Sequence, residues 1–290
     1  MAGRKGRKKQ KGKGRKKGRS LTVDPHSLYE AAVQNVEADA DFIERIWKKE
    51  LGGRPRRLRE DFCGTASLAA HWASRHPDNY AWGVDLDSAT LDWGRRHRLE
   101  PAGEAAERVT LICDDVRVSL EEAADVQAAF NFSYFVFKTR EELGEYFASV
   151  YGSLGDQGMF FLDAYGGSES WCTLEEETKV DSRKDPDGRK VPAFTYIWEH
   201  ASFNPIDNHL ETYIHFRLKD GRTLRKAFRY DWRFWTLPEL RELLAEAGFT
   251  ESQVYVEGWD ENDEPDGVFR RRKRFDNEGS WIGYVVARKG

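Results

Sequence analysis

Short apolar runs alternate with segments of helical periodicity over most of the first half of the chain. Runs such as YAWGVDL and GMFFLDAY have the length and composition of buried strands, whereas the intervening segments place apolar residues every three or four positions. Helices are predicted at 67–76, 88–99 and 139–154. Strands are predicted ending near Glu60 and at 80–86, 108–113, 126–132 and 158–165. This succession is typical of βαβ units and predicts a parallel sheet.

The segments on either side of this core follow other patterns. Apolar positions at helical spacing from Pro25 to about Gly52 predict two amphipathic helices that act as a lid or brace. Residues 166–235 alternate in the manner of antiparallel strands, with turn sequences between them. A helix over WTLPELRELLAEAGF and strands at 252–259 and 281–289 close the chain, and a polar loop containing Arg270 to Arg274 separates these strands. The prediction is an α/β fold with a doubly wound, seven-stranded, mostly parallel sheet.

Charge separates the N-terminus from the rest of the chain. Residues 1–20 contain eleven Lys or Arg and no acid, which leaves 35 basic against 50 acidic side chains in the remainder, a formal charge of −15. Residues 1–22 are therefore predicted to be a disordered basic tail. Residues 4–19 could contact RNA or DNA without sequence preference, or serve only as a solubilising or ribosome-associated extension. Residues 23–290 are predicted to form one domain, with 166–235 as its β-rich insertion.

The three cysteines point to a reducing compartment. Cys63, Cys113 and Cys172 are odd in number and form no CxxC pair, so neither a disulfide framework nor a zinc cluster is indicated. No run of 18 apolar residues and no signal-peptide pattern occurs in the sequence. We expect a cytoplasmic protein without a metal site.

Acidic residues follow the first three predicted strands. Glu60, Asp85 and Asp115 stand at or just after strand ends, and Asp85 lies 21 residues after Gly64. Ligands of open parallel sheets bind at the carboxyl ends of the strands, and an acid at that interval is suited to ribose hydroxyls. Because like charges repel, acids at these strand ends suit a cationic ligand with hydroxyl and amine donors better than a diphosphate.

In these three stretches the sequence resembles the class I S-adenosylmethionine-dependent methyltransferases, which have a Rossmann-like fold. LREDFCGTASLA is similar to the family's first motif, GVDLDSATL to its second and LICDDVRV to its third. The final order of strand, helix and two closing strands is also similar. The resemblance covers roughly residues 25–290 and implies S-adenosyl-L-methionine as cofactor.

The resemblance implies a role for each matching residue. Gly64 would let the backbone approach the methionine part, and Glu60 would help to hold its amino-acid end. Asp85 would accept the ribose hydroxyls and Asp115 the adenine amine. Leu86 and Val116 would flank the adenine ring, Asn131 would face the transferring methyl group, and Tyr29 would close over the cofactor as a lid residue. The sequence departs from the motif at Phe62 and Ala66, where the family commonly has glycine, and the Phe62 ring must turn away from the cofactor if Gly64 is to serve it.

Catalytic residues are less well defined. NFSY at 131–134 resembles the loop of methyltransferases that act on exocyclic base amines but lacks both prolines, and Asn131 is also a common turn former. Further candidate bases are Tyr165, Glu199, His200 and His215, which lie in segments predicted to roof the site. Candidates for catalysis are therefore Asn131, Tyr165 and His215, while Tyr29 is either a lid residue or a core residue.

The sequence supports a methyltransferase whose acceptor is a small molecule, slightly favoured, or an RNA or protein tethered by the basic tail. A second interpretation is a nucleic-acid-binding protein on a degenerate fold that no longer binds a cofactor. A nicotinamide-dependent oxidoreductase would need GxGxxG after the first strand, which this sequence lacks.

Overall fold

A computed structural model describes residues 23–259, 261 and 265–290. These residues form a central eight-stranded sheet, a smaller four-stranded sheet and a two-stranded hairpin. The predicted basic tail, residues 1–22, lies outside the described residues. The helices are α1 (Pro25–Val33), α2 (Val36–Leu51), α3 (Ser67–Arg75), α4 (Ser88–Gly94), α5 (Glu100–Ala102), α6 (Arg140–Ser153) and α7 (Leu237–Glu246). The strands are β1 (Arg57–Asp61), β2 (Tyr80–Asp85), β3 (Val109–Cys113), β4 (Ala124–Ala129), β5 (Leu154–Gly166), β6 (Leu174–Val180), β7 (Arg183–Lys184), β8 (Lys190–Val191), β9 (Phe194–Asn204), β10 (His209–Leu218), β11 (Thr223–Arg233), β12 (Glu251–Trp259), β13 (Pro265–Arg272) and β14 (Trp281–Arg288).

The central sheet has the strand order β13-β12-β14-β5-β4-β1-β2-β3. Strands β1 to β5 pair with one another in parallel, whereas β14 is antiparallel to both β5 and β12. From β1 the chain proceeds outward through β2 to β3 at one edge of the sheet. From β4 it proceeds to β5 in the opposite direction. The order therefore reverses between β1 and β4, and ligands of such sheets bind at the carboxyl ends of the strands on either side of this point.

The sheet has eight strands, although the sequence predicted seven. The additional strand, β13, occupies part of the segment expected to be a polar loop and pairs antiparallel with β12. Its sequence alternates poorly, but the Phe269 ring packs against Phe42 and Tyr284 and fixes the strand to the domain. Charged residues such as Arg271 are typical of an exposed sheet edge.

The segment between β5 and α7 forms the second sheet, with the antiparallel order β11-β10-β9-β6. Strands β9, β10 and β11 correspond to the three segments that the sequence predicted. Strand β6 was not predicted, because its sequence LEEETKV is polar and exposed at the edge of the sheet. The short β7–β8 hairpin, which packs near α1, was not predicted either.

The predicted helices are present, and their starts agree with the sequence. Thr139 and Glu142 form the predicted capping box of α6, and Glu239 accepts the Thr236 N–H at the start of α7. The predicted helix at 88–99 is α4 continued by a π-helical turn at 95–99. Across the described part of the chain, no helix is both long enough and apolar enough to cross a membrane.

Candidate functional site

The loop after β1 and the acid that ends β2 are joined by a hydrogen bond. The Gly64 N–H donates to Asp85 Oδ2 at 2.8 Å, and the Asp87 N–H donates to the other carboxylate oxygen at 2.9 Å. Both donors are backbone groups, so the orientation of the Asp85 carboxylate is fixed. Each oxygen keeps a second lone pair for a ligand donor. The structure thus brings together two residues that the resemblance assigned to the cofactor.

Three alternate residues of this loop have a left-handed backbone. The φ angles are +53° at Phe62, +52° at Gly64 and +56° at Ala66. Glycine adopts this conformation without steric cost, whereas other L residues lose roughly 1–2 kcal/mol each. The loop therefore keeps the backbone that glycines would favour although two of the three positions carry side chains.

The Phe62 ring packs away from the loop into an aromatic cluster. Its centroid lies 5.6 Å from that of Tyr146 on α6 and 6.0 Å from that of Phe137. These contacts offset part of the backbone strain at Phe62. Gly64 stays open, since a Cβ placed there would have Thr90 Cγ2 as its nearest heavy atom, at 3.9 Å.

Glu60 is buried beneath the same loop. Its carboxylate accepts the Ala69 N–H at 2.8 Å, in the first turn of α3. Burial raises the pKa of Glu60 to about 8, against the lowering effect of the Ala69 hydrogen bond. Glu60 is therefore largely protonated at neutral pH, and a cation bound nearby would favour release of this proton.

The loop after β3 carries the predicted adenine contacts. Asp115 is half-buried and pairs with Arg117 at 2.9 Å, and the Arg117 hydrogen bond lowers the pKa of that carboxyl. Val116 is buried, whereas Leu86 is 72% exposed at the end of β2. A large apolar side chain in this position offers a surface that a flat ring could cover.

A buried arginine of β1 holds the loop after β3 in place. Arg59 donates to the carbonyl oxygens of Val116 and Val118 and pairs with Asp61 at 2.7 Å. Asp61 also accepts from Gln127 and from the Tyr146 hydroxyl. This network was not predicted from the sequence, because the charged residues of β1 resemble those of an exposed strand.

The turn after β4 is fixed by the acid on β5. The Asp163 carboxylate accepts the N–H of Asn131 at 2.7 Å and that of Phe132 at 2.9 Å, and both donors have φ angles near +57°. Burial raises the pKa of Asp163 to about 7, opposed by these two hydrogen bonds. Strand β4 therefore ends before the predicted residue 132, in a turn that presents Asn131 at the strand ends. The sequence placed Asp163 at the end of a strand but assigned it no role.

A cavity of about 370 Å³ that opens to solvent adjoins this turn. It is bounded by α1, the turn after β4, the end of β5 and one face of the four-stranded sheet. Of the residues predicted for the site, Tyr29, Asn131 and Tyr165 line it. The second sheet contributes further wall residues that were not predicted from the sequence, among them Tyr196, Trp198, Ile214, Tyr230 and Trp232.

His215 lies outside this cavity, contrary to the prediction that it roofs the site. Its neighbour along β10, Ile214, lines the cavity, so His215 faces the opposite side of the sheet. There His215 Nε2 lies 2.7 Å from Glu199 Oε2, and Nδ1 accepts the Lys226 N–H at 2.8 Å. Both ring nitrogens are engaged in the sheet, which removes His215 and Glu199 from the candidate bases. His200, on the cavity face of β9, lines the wall instead.

Helix α1 links the cavity to the loop after β1. Tyr29 lies against Phe228, with ring centroids 4.9 Å apart, and burial raises its pKa to about 12. The adjacent Glu30 accepts from Thr65 Oγ1 at 2.5 Å and from Arg98 Nε at 2.9 Å. Consecutive residues of one helix thus reach the cavity and the predicted cofactor loop.

Larger hollows lie elsewhere on the molecule. One of about 870 Å³ lies between α7 and β12, and another of about 980 Å³ lies at the amino ends of β1 and β2. Neither meets the carboxyl ends of the parallel strands. A third, of about 430 Å³, lies beside β12 and the start of β14. The 370 Å³ cavity contacts both the turn after β4 and the end of β5 and is therefore the candidate acceptor site.

Comparison with known proteins identifies the fold. No protein-family model matches the sequence, and no curated protein sequence matches it. An S-adenosylmethionine-dependent methyltransferase from Clostridium acetobutylicum superposes with a TM-score of 0.65 and 16% identity, over 91% of this chain and 97% of that one. An amino-pentose methyltransferase of calicheamicin biosynthesis from Micromonospora echinaspora gives 0.63 and 17%, over 91% and 96%. A sugar N-methyltransferase from a Streptoalloteichus species gives 0.59 and 16%, over 97% and 98%.

These likenesses confirm the predicted fold. The chain has the class I S-adenosylmethionine-dependent methyltransferase fold, with its mostly parallel central sheet and antiparallel closing strands.

Proposed function

We propose that this protein is an S-adenosylmethionine-dependent methyltransferase that acts on a small-molecule acceptor. One observation carries the proposal: the cavity between α1 and the second sheet meets the carboxyl ends of the parallel strands at Asn131 and Phe132, beside the loop of Gly64. An acceptor in the cavity and a nucleotide-like ligand on the strand ends would therefore meet at the turn after β4.

The strand-end residues fit the proposed cofactor. Asp85 has free lone pairs for two hydroxyl donors, and the open space at Gly64 permits a close approach. Exposed Leu86 and buried Val116 would flank an adenine ring, and Asp115 would accept its amine. Glu60 would lie near the amino-acid end of the cofactor, and Tyr29 would lie on its lid side. When bound, S-adenosyl-L-methionine supplies an electrophilic methyl group on a sulfonium.

The chain itself contributes alignment and exclusion of water. Methyl transfer runs in line with the breaking carbon–sulfur bond, so the main requirement is a fixed acceptor position. The Asp163 hydrogen bonds fix Asn131, and the second sheet with α1 covers the acceptor. Of the predicted catalytic candidates, Asn131 and Tyr165 remain in this proposal.

A small molecule fits this site better than a nucleic acid. The cavity is a recess covered by α1 and the second sheet, and two of the three solved structures named above are described as sugar methyltransferases: the amino-pentose enzyme and the sugar N-methyltransferase. Nothing in the described residues or the comparisons supports the nucleic-acid alternative. We further propose one domain over residues 23–290, with 166–235 as its insertion, in the cytoplasm, where the free thiols of Cys63, Cys113 and Cys172 would stay reduced.

Isothermal titration with S-adenosylmethionine tests the cofactor assignment. Asp85→Asn keeps one carbonyl oxygen but loses the charge and one acceptor, and a hydrogen bond to a charged group contributes about 1.5–3 kcal/mol. We expect the dissociation constant to rise about 10- to 150-fold. Asp156→Asn, on the exposed start of β5, is the matched control and should bind as the unaltered protein does. Folded protein that does not bind at millimolar ligand would overturn the proposal.

A further inference from the structure

Two buried polar side chains in the cavity wall have no hydrogen-bond partner among the described residues. Tyr165 is 8% exposed and His200 is 6% exposed. The Tyr165 hydroxyl and both ring nitrogens of His200 have no partner at hydrogen-bond distance, although the Cys172 backbone interacts weakly with the His200 ring. The two ring centroids lie 6.1 Å apart. An unpaired buried polar group costs about 1–3 kcal/mol, so two of them in one wall indicate a ligand that pairs with both.

The other residues that line the cavity indicate which charge the ligand carries. The aromatic rings of Phe132, Trp198, Tyr230 and Trp232 line the cavity together with three exposed carboxylates. These carboxylates are Glu169, Glu176 and Glu177, of which Glu177 pairs with Arg217. The described lining contains no Lys or Arg. Aromatic faces and carboxylates attract cations and disfavour anions.

His200 is suited to accept a proton from such a cation. Burial lowers its pKa, against the raising effect of the backbone at Cys172, so the ring is neutral at pH 7 and keeps one acceptor nitrogen. The titratable groups around it are Tyr165 on β5, Cys172 in the segment before β6, and the cavity carboxylates. These carboxylates are exposed and line the rim rather than the buried wall.

Building on the proposed methyltransferase function, we propose that the acceptor is a small aliphatic amine, bound as its ammonium ion, whose proton passes to His200. Tyr165 and His200 bind the nitrogen, and the aromatic rings surround its carbon substituents. Loss of a proton to a ring nitrogen of His200 frees the lone pair. One nitrogen–carbon bond then forms as the methyl–sulfur bond breaks, and the electron pair of that bond stays on sulfur. The products are an N-methylammonium ion and a thioether, without oxidation or reduction.

Calorimetric titration of the full chain in amine-free phosphate buffer at pH 7.5 tests the ligand class. The probes are cyclohexylamine, which is cationic at this pH, its neutral match cyclohexanol, and cyclohexanecarboxylate. We expect the amine to bind at least tenfold more tightly than the alcohol and the carboxylate not to bind. His200→Gln and Tyr165→Phe should each weaken amine binding about tenfold. His215→Gln, on the opposite face of the sheet, should leave it within twofold.

S-adenosylhomocysteine, titrated in parallel, separates the two proposals. Suppose S-adenosylhomocysteine binds, but cyclohexanol binds as tightly as cyclohexylamine, or neither of these two compounds binds. The amine inference is then wrong and the methyltransferase proposal stands. If S-adenosylhomocysteine does not bind, the methyltransferase proposal is wrong, and the amine inference with it.

The proton transfer has its own test. In a single turnover with methyl-labelled cofactor, label should enter cyclohexylamine, and His200→Gln should slow this at least 100-fold at pH 7. Raising the pH supplies neutral amine from solution and should narrow the difference. Binding without transfer, or an equal rate in His200→Gln at pH 7, would overturn the role of His200.

Discussion

Replacement of Gly64 by alanine separates the cost of the loop's backbone from its role in cofactor binding. A Cβ at Gly64 would meet its nearest heavy atom, Thr90 Cγ2, at 3.9 Å, which is ordinary van der Waals contact. Folding should therefore lose only the cost of a left-handed alanine at φ +52°, roughly 1–2 kcal/mol. For a chain of this size that corresponds to a fall of about 2–8 °C in Tm.

Cofactor binding should respond more strongly than folding does. If the backbone of Gly64 touches the ligand, the added methyl group occupies space that the ligand needs, and overpacking of this kind costs about 1–3 kcal/mol. The dissociation constant for S-adenosylmethionine should then rise about 5- to 150-fold. Isothermal titration measures this change, and thermal unfolding measures the stability.

Gly53→Ala is the matched control. Gly53 also has a left-handed φ, +62°, with no atom within 4 Å of an added Cβ, and it lies just after α2. It should lose similar stability and bind the cofactor normally. Normal binding by Gly64→Ala, or equal weakening in both variants, would refute the assignment of Gly64 to the ligand.

Three further predictions concern buried charged groups. Arg59→Met leaves Asp61 without its cation and should lower the free energy of unfolding by about 3–5 kcal/mol in urea titration. Arg57→Met, in a half-exposed pair, should lower it by under about 1 kcal/mol. Equal losses in the two variants would contradict this account. Asp163 has a pKa of about 7 when folded against 3.8 as the reference, so its contribution to stability is complete below about pH 4 and lost as the pH rises through 7. Asp163→Asn should gain stability relative to the unaltered protein between about pH 4 and 7 in chemical unfolding, and a constant difference over that range would disprove it. Because the pKa of Glu60 is about 8, binding of the cationic cofactor at pH 7 should release a proton, seen as a buffer-dependent enthalpy that Glu60→Gln abolishes; release that persists in the variant comes from another group.

The fold could be predicted because its patterns are local. Apolar runs identified β2 and β5, and capping pairs such as Thr139 and Glu142 identified helix starts. Asp85 and Gly64 were placed together because neighbouring parallel strands end at the same edge. Strand β13 escaped detection because its charged sequence alternates poorly, and its pairing with β12 and the Phe269 contacts depend on residues distant in the chain.

The acceptor cavity could not be predicted, because it depends on the register between strands of the second sheet. His200 and His215 both lie on β-strands with alternating sequences, and only the pairing of His200 with Thr212 determines which histidine faces the cavity. The left-handed backbone at Phe62 was equally hidden, since the residue type argues against it and the compensating ring contacts come from distant α6. In both cases tertiary contacts determine the outcome.

The hydrogen bond from Thr65 to Glu30 has a consequence for the order of events in a turnover. Tyr29 and Glu30 belong to one helical turn, so displacement of the cofactor loop at Thr65 also displaces a wall of the acceptor cavity. Two ligands that bias the same element are thermodynamically coupled, and the coupling is reciprocal. In the proposed enzyme, a cofactor that shifts the Thr65 loop would therefore also change the affinity of the cavity for the acceptor, and an acceptor that shifts α1 would change the affinity for the cofactor.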